Sequence, residues 1–204
     1  MKRMVGLCVL SLTAVGCSSG NPMFNGEDLT GWTEIGSSGA WSVDRGVIKC
    51  TGEKDGYAWL SSDEKYGDFI LELEWRVHPE GNTGVFVRAP DREGRTSMKG
   101  FEIQCKDDRK DEDLTDVAGA VFSRVPALDK FSNPPGEWNH LRVTCKGRRV
   151  RIELNGHKCS SFDLDEVKAG TPESMANIPD EGYIGLQNHG QRAYFRNVRI
   201  EVLE

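Results

Sequence analysis

The stretch FILELEWRV, residues 69–77, alternates apolar and polar side chains along its whole length. A period of two is typical of a β-strand that has one face on a hydrophobic core and the other face in water. The side chains expected on the buried face are Phe69, Leu71, Leu73, Trp75 and Val77. The stretch therefore predicts a long strand in a sheet that is covered on one side.

Further runs of this kind follow along the chain, separated by turn residues, with no convincing amphipathic helix between them. We predict eleven strands, at residues 41–50, 57–62, 69–77, 83–89, 100–106, 119–125, 139–147, 149–156, 157–163, 182–188 and 193–203. Asn155-Gly156 is a strong signal for a two-residue hairpin, and Lys146-Gly147 indicates another. Strands without helical crossovers predict an all-β fold, which we assign as a jelly-roll β-sandwich of two antiparallel sheets.

The N-terminal residues 1–16 have the layout of a secretory signal, with Lys2 and Arg3 before a short apolar run. The following TAVGC resembles a bacterial lipobox, which would place a lipid on Cys17, although Ala14 stands where leucine is usual. A plain signal peptide cleaved elsewhere is the alternative. We expect an exported lipoprotein, periplasmic or at the cell surface, with a tether over 17–22, one domain over 23–204 and membrane contact only through the lipid.

The net charge and the cysteine spacing argue against two classes of function, nucleic-acid binding and a structural zinc site. Loss of the signal would change the formal charge from −6 to −8, and an acidic domain without a basic patch predicts no nucleic-acid partner. Cys50, Cys105, Cys145 and Cys159 could form disulfides in an exported protein. No CxxC spacing is present, and strand parity places Cys105 and Cys145 in the core, which favours buried thiols and disfavours a structural zinc site.

A second stretch, GFEIQCKD at residues 100–107, raises the question of function. Its alternation places Glu102 and Gln104 on the exposed face, although neither residue type favours strands. Parity gives Glu74 and Arg88 the same outward orientation, so the four would form a polar floor if their consecutive strands are neighbours. A solvated face with ordinary cross-strand ion pairs is the alternative.

Three further candidates lie at strand ends, where loops present side chains to a site: Asn82, Gln187 and His189. A lone histidine there is more often an ordinary surface residue. The tryptophans could stack on a sugar, but most are expected to fill the core.

The chain as a whole resembles the 3-keto-disaccharide hydrolase family, whose members have a concanavalin-like sandwich and are common among exported bacterial proteins. The segments that carry the resemblance are MFNGEDLTGW (23–32), WSVDRGVI (41–48), YGDFILELEWRV (66–77), GNTGVFVR (81–88), GFEIQCKD (100–107), GAVF (119–122), PPGEWNHLRV (134–143), ELNG (153–156), GYIGLQNHG (182–190) and FRNVRI (195–200). Each segment alone is weak evidence for the resemblance, whereas ten segments in the family's order are specific evidence for it.

Two positions depart from the family pattern. Thr83 stands where serine is usual and keeps a hydroxyl, and Phe122 stands where tyrosine is usual and loses one. Asp107 matches an aspartate that commonly follows the Glu-x-Gln strand, so the resemblance adds it to the candidate site.

The resemblance implies cleavage of a glycosidic bond in a sugar already oxidised to a ketone at C3. The ketone acidifies the C2 proton, so a base can form an enolate that expels the C1 substituent, and water then adds back. Glu74 or Glu102 is the expected base, and Asp107 or His189 the acid. Arg88 with Gln104 would donate to the enolate oxygen.

Several alternatives stay open at this stage. A divalent cation could replace Arg88 if Glu74, Glu102 and His189 converge, although no metal-binding spacing is present. A lectin-like module is the main rival function, because the same sandwich binds sugars without cleaving them. An upstream sugar 3-oxidoreductase is the expected partner, since the ketone has to be supplied.

Overall fold

The computed structural model describes residues 20–168, 170–171 and 174–204, and it is almost entirely β-structure. The expected signal peptide and Cys17 lie outside these residues. The elements in chain order are β1 (Asn21–Pro22), β2 (Trp32–Ile35), β3 (Trp41–Asp44), β4 (Val47–Cys50), β5 (Ala58–Tyr66), β6 (Phe69–Val77), β7 (Asn82–Ala89), α1 (Thr96–Lys99), β8 (Phe101–Lys106), β9 (Asn139–Lys146), β10 (Arg149–Leu154), β11 (His157–Asp163), β12 (Gly182–Asn188) and β13 (Ala193–Val202).

These strands form two antiparallel sheets, as the sequence predicts. One sheet has the order β11-β10-β9-β6-β13-β4-β3, with β1 also paired to β13, and the other has the order β2-β5-β12-β7-β8. The apolar face of β6 and the apolar faces of β7, β8 and β12 belong to one core between the sheets. The all-β sandwich is therefore confirmed.

The hairpin turns form at residues whose types favour positive φ. Asn155 and Gly156 have φ values of 52° and 81°, and Leu154 pairs with His157 across them. Positive φ at both central positions matches the right-handed twist of the flanking strands. Arg45 and Gly46, with φ of 48° and 76°, make the same kind of turn and divide the expected strand 41–50 into β3 and β4.

Three parts of the chain differ from the strand prediction, and the first is β2 (Trp32–Ile35), which pairs with β5 where no strand was predicted. Residues 119–125 are not a strand, because Gly119 and Ser123 adopt positive φ and turn the backbone. The segment instead lies along β8, where the Phe122 N–H donates to the Glu102 carbonyl. At the N-terminus, Asn21–Pro22 fall within the expected tether but pair with β13.

The four cysteines at positions 50, 105, 145 and 159 are all buried and free. Within the described ranges, no helix is long and apolar enough to cross a membrane.

Candidate active site

The outer face of the five-stranded sheet carries a polar hollow of about 250 Å³, which we call the first hollow. Alternation in three adjacent strands builds it, because Asn82 of β7, Glu102 and Gln104 of β8, and Gln187 of β12 all point away from the core. The full lining is Lys54, Tyr57, Asn82, Arg95, Ser97, Glu102, Gln104, Phe122, Gln187, Asn188 and His189. Five of the eight predicted site side chains therefore meet here.

Glu102 is the most perturbed group in the first hollow. Its side chain is only 5% exposed, and Gln187 Nε2 donates to its Oε1 at 2.7 Å. Burial raises the pKa of Glu102 to about 7, which outweighs the lowering effects of the Gln187 hydrogen bond and of Arg95. A carboxyl group with a pKa near neutrality suits proton transfer at physiological pH.

Gly84 makes room for this carboxyl group. A Cβ atom at Gly84 would lie 2.6 Å from Glu102 Oε1 and 2.8 Å from its Cγ. Gly84 has no positive φ, so space and not backbone conformation requires glycine here. The Asn-Thr-Gly motif thus serves the site through its glycine, while the Thr83 hydroxyl donates to the Gln187 backbone carbonyl at 2.6 Å.

Aromatic rings lie beside and beneath the polar groups. Tyr57 stacks on Phe86 with ring centroids 5.8 Å apart, and Trp59 meets Phe86 edge-on at 5.6 Å. Burial raises the pKa of Tyr57, so its phenol stays protonated at neutral pH. The Ser97 backbone N–H donates to the phenol oxygen at 3.1 Å, which leaves the phenol hydrogen available as a donor.

Gln104 is held at the edge of the hollow by a charged network. Its Nε2 donates to Asp116, and Lys106 Nζ donates to the other oxygen of the same carboxylate at 2.9 Å. One of the two amide N–H groups of Gln104 is therefore already engaged. This weakens its expected role as a donor to the reacting sugar.

The hydrogen bonds around His189 determine which of its two ring nitrogens carries the hydrogen. Gln191 Oε1 accepts from the Asn82 backbone N–H at 3.1 Å, and Gln191 Nε2 donates to the Glu80 carbonyl at 3.2 Å. Because the same Oε1 lies 3.3 Å from His189 Nδ1, that ring nitrogen has to be the donor. The Nε2 atom of a neutral His189 is then free to accept a proton.

Asp107 lies next to the first hollow but not in it. Arg109 binds its carboxylate through Nε and Nη2 at 2.7 and 2.9 Å, and the Glu80 N–H donates at 2.9 Å. The Arg109 hydrogen bonds hold the pKa of Asp107 well below its usual range. A carboxylate held ionised in this way is a poor general acid, so His189 is the better of the two expected candidates.

Glu74 does not belong to the site, and its predicted place on the polar floor is wrong. Its strand β6 lies in the eight-stranded sheet, between β9 and β13, and is not a neighbour of β7. Its carboxylate accepts from Arg196 Nε and Asn197 Nδ2, both at 2.6 Å. The chain crosses from one sheet to the other between β5 and β6 and crosses back between β6 and β7, which parity within a strand does not reveal.

Arg88 is likewise absent from the site. Residue 88 has a φ of 53°, which reverses the side-chain alternation of β7, and the guanidinium is fully buried. Its Nη2 donates to the carbonyl groups of Gly147 at 2.8 Å and Gly67 at 3.2 Å. The arginine therefore connects the β5–β6 and β9–β10 turns instead of facing a substrate.

The side chains considered as ligands of a divalent cation do not converge, because Glu74 lies on the opposite sheet from Glu102. Nowhere in the described part of the chain do three His, Cys, Asp or Glu side chains lie where they could hold a metal ion.

Six residues that line the first hollow were not predicted as site residues: Lys54, Tyr57, Arg95, Ser97, Phe122 and Asn188. The parity of β5 would have placed Tyr57 on the same outward face as Trp59. Asn188 is the last residue of β12, and the other four come from loops and the short α1, where no periodicity exists to indicate direction.

Comparison with known proteins gives a consistent set of similarities. A family model described as the 3-keto-alpha-glucoside-1,2-lyase-like domain matches residues 20–201. The chain is 25% identical to a 3-keto-disaccharide hydrolase from Bacteroides thetaiotaomicron, over 89% of this chain and 78% of that protein.

Solved structures agree with the fold. A candidate glycosyl hydrolase from Parabacteroides distasonis superposes with a TM-score of 0.75 at 26% identity, covering 89% of this chain and 93% of the other. The carbohydrate-binding module CBM66 from Bacillus subtilis superposes with a TM-score of 0.57 at 18% identity, over 84% and 95% of the two chains. At that identity the second likeness concerns the fold alone.

Proposed function

Because the chain belongs to the 3-keto-alpha-glucoside-1,2-lyase-like domain family, we propose that it cleaves the glycosidic bond of a sugar oxidised to a ketone at C3. The names of the family and of the Bacteroides relative support a hydrolase that acts on glycosidic bonds. The observation that carries the specific chemistry is Glu102, a buried carboxyl group with a pKa of about 7 in a polar hollow.

Glu102 is the proposed base. Its Oε1 accepts from Gln187, and no hydrogen bond engages its Oε2 among the described residues. The carboxylate removes the C2 proton, and the electron pair of that C–H bond forms an enolate with the C3 carbonyl. In this proposal the neutral Tyr57 phenol, which lines the same hollow, donates to the enolate oxygen, the role predicted from the sequence for Arg88 with Gln104.

Elimination and hydration then complete the reaction. The enolate re-forms the C3 ketone, a C1–C2 double bond forms, and the C1–O bond breaks. A protonated His189 gives its Nε2 proton to the leaving oxygen. Water next adds at C1 with loss of a proton to His189. The proton on Glu102 exchanges with solvent while the unsaturated intermediate is bound, and Glu102 then protonates C2, so the net change is addition of one water.

Unfilled hydrogen-bonding capacity in the hollow also supports a hydroxylated ligand. Asn82 Oδ1 and Gln187 Oε1 are buried and have no hydrogen-bond donor among the described residues. A buried acceptor without a donor costs roughly 1–3 kcal/mol. Sugar hydroxyl groups would supply the missing donors.

The direct test is incubation with 3-keto-trehalose, 3-keto-sucrose and their unoxidised parents in D2O, with products identified by mass spectrometry. We expect cleavage of the keto sugars only, with one carbon-bound deuterium at C2 of the released 3-keto sugar. Glu102→Gln and an enzyme-free sample are the controls for spontaneous exchange. Cleavage without C2 deuterium would contradict the elimination route, and saturable binding without any cleavage would favour the lectin-like alternative.

Such a substrate also has to be made. We propose that an upstream sugar 3-oxidoreductase supplies the ketone, since unoxidised glycosides lack the acidic C2 proton. Export and a lipid on Cys17 stay predictions, because that residue lies outside the described part of the chain.

A further inference from the structure

The turn that follows β12, with the sequence Asn-His-Gly-Gln at 188–191, presents His189 to the first hollow. Asn188 is the last residue of β12 and is only 1% exposed. Its Oδ1 accepts from the Gly190 N–H at 3.0 Å, which bends the backbone around His189. Its Nδ2 donates to the Glu53 carbonyl at 2.8 Å, which joins the turn to a neighbouring loop. Asn188 therefore fixes the backbone position of His189.

Close packing holds the same turn against the loop that contains Glu53. A Cβ atom at Gly52 would lie 2.9 Å from the Gln191 backbone nitrogen and 2.9 Å from the Gly190 carbonyl oxygen. Glycine therefore allows the two backbones to touch here, and the buried amide of Asn188 joins them by hydrogen bonds. Without that amide, only packing would hold the two segments at this point.

Gln191 fixes the orientation of the His189 ring. Two backbone groups set the direction of its amide, because Oε1 accepts from the Asn82 N–H at 3.1 Å and Nε2 donates to the Glu80 carbonyl at 3.2 Å. The same Oε1 lies 3.3 Å from His189 Nδ1, which therefore carries a hydrogen. When a protonated ring gives up its Nε2 proton, the neutral ring that remains is the tautomer that Gln191 accepts from.

We propose that Asn188 and Gln191 are positioning residues for the proposed acid, and that together they direct His189 Nε2 toward the oxygen of the leaving group. Asn188 acts through the backbone of the turn, and Gln191 acts through Nδ1 of the ring. A displacement of about 1 Å in such a group can lower the rate about 100-fold. This inference rests on the proposed function, because His189 needs a defined direction only if it protonates a leaving group.

The kinetic test compares two substrates that share the keto ring. The leaving oxygen of methyl 3-keto-glucoside needs a proton, whereas 4-nitrophenyl 3-keto-glucoside releases a phenolate that leaves without one. For the methyl glycoside we expect Asn188→Ala to lower kcat about 100-fold and Gln191→Met about tenfold. For the nitrophenyl glycoside both variants should change kcat less than about twofold, because its departure needs no acid.

Two further variants are controls for this test. Gln191→Glu keeps an acceptor for His189 Nδ1, so it should retain kcat for the methyl glycoside within about threefold. Asn139→Ala removes another buried asparagine, 2% exposed, whose Oδ1 accepts from the Asn133 N–H at 2.7 Å. Because Asn139 lies in the eight-stranded sheet, its replacement should alter kcat for neither substrate.

A spectroscopic test needs no turnover. Heteronuclear NMR of the ring nitrogens, assigned with His189→Ala, reports which nitrogen of the neutral imidazole carries the hydrogen. We expect Nδ1 to carry it in the wild-type protein, in Gln191→Glu and in Asn139→Ala. Asn188→Ala and Gln191→Met should instead show a mixture of the two tautomers, because the acceptor for Nδ1 is displaced or lost.

The outcomes separate the two proposals. Equal losses for both glycosides, or an unchanged ring tautomer in Asn188→Ala and Gln191→Met, would overturn the positioning roles and leave the proposed cleavage intact. If the wild-type protein cleaves neither glycoside, the proposed function fails and the positioning roles fail with it. Circular dichroism detects misfolding, and if Asn188→Ala does not fold, Gln191→Met still decides the question because that side chain is exposed.

Discussion

Replacing Glu102 by glutamine should stabilise the protein while abolishing turnover, and the gain in stability should depend on pH. Glutamine keeps an oxygen that accepts from Gln187 Nε2, so the 2.7 Å hydrogen bond has a partner in the variant. What the substitution removes is the ionisable group. Loss of the proposed base should lower kcat by about 10²- to 10⁴-fold.

The magnitude follows from the pKa of Glu102. The ordinary value is 4.5 and burial raises it to about 7, so the carboxylate form is disfavoured in the folded state. The folded protein retains the proton over a range in which the unfolded chain has lost it, and stability therefore falls as pH rises from about 4.5 to about 7. At pH 8 the ionisation of Glu102 lowers the free energy of unfolding by about 3 kcal/mol, and at pH 4 it lowers it by close to zero.

The assay is thermal and urea unfolding of both proteins at half-unit steps from pH 4 to pH 8. We expect equal stability at pH 4 and a variant that melts roughly 6–12 °C higher at pH 8, for a domain of this size. Asp107→Asn is the matched control, because Arg109 lowers the pKa of Asp107 and the stability it contributes is fully present above about pH 4. The loss of stability in Asp107→Asn relative to the wild-type protein should stay constant from pH 5 to pH 8. A Glu102→Gln difference that does not grow with pH would refute a raised pKa at Glu102.

Three further outcomes test other parts of the structure. The wild-type kcat/KM should rise with pH along an acidic limb with an apparent pKa of about 7, and a limb near 4.5 would exclude Glu102 as the base. Gly84→Ala should lower kcat about 100-fold, because the added Cβ displaces the Glu102 carboxyl group, whereas Gly67→Ala, where the nearest atom lies 3.5 Å away, should leave kcat unchanged. Arg88→Met should destabilise the protein by roughly 2–4 kcal/mol, because the carbonyls of Gly67 and Gly147 lose their donor. The folded fraction of this variant should keep its kcat. A lower kcat at normal stability would return Arg88 to the site.

The sequence predicts the parts of this protein that depend on local alternation. β6 and β8 are strands as predicted, and the Asn155-Gly156 turn lies where its residue types require. The expected face of β6 is buried, but β8 is buried on both faces, because Glu102 and Gln104 lie in the first hollow and not in open solvent. The orientation of Glu102 and Gln104 follows from the same alternation. These properties depend on neighbours within a few residues, so one sequence is enough to reveal them.

What the sequence does not reveal is decided by contacts between distant segments. Glu74 has the outward parity expected of it but lies on the other sheet, because β6 pairs with β9 and β13 and not with β7. Arg88 breaks the parity rule through a single residue with positive φ. The loop residues Lys54 and Arg95 reach the first hollow from segments without periodicity.

No arginine among the described residues is hydrogen-bonded to the Glu102 carboxylate, and this is consistent with the proposed chemistry. A guanidinium in contact with the carboxylate would favour the charged form and lower its pKa by 1–3 units, which would weaken it as a base toward carbon. The residue in contact is instead the neutral amide of Gln187, which orients the carboxylate with a smaller effect on its pKa than burial has. The cationic Arg95 is exposed and acts on Glu102 only through longer-range electrostatics. Glu102 is thus positioned by an amide, given space by Gly84 and kept basic by burial. The same burial that disfavours its carboxylate form makes that carboxylate suited to removing a proton from C2.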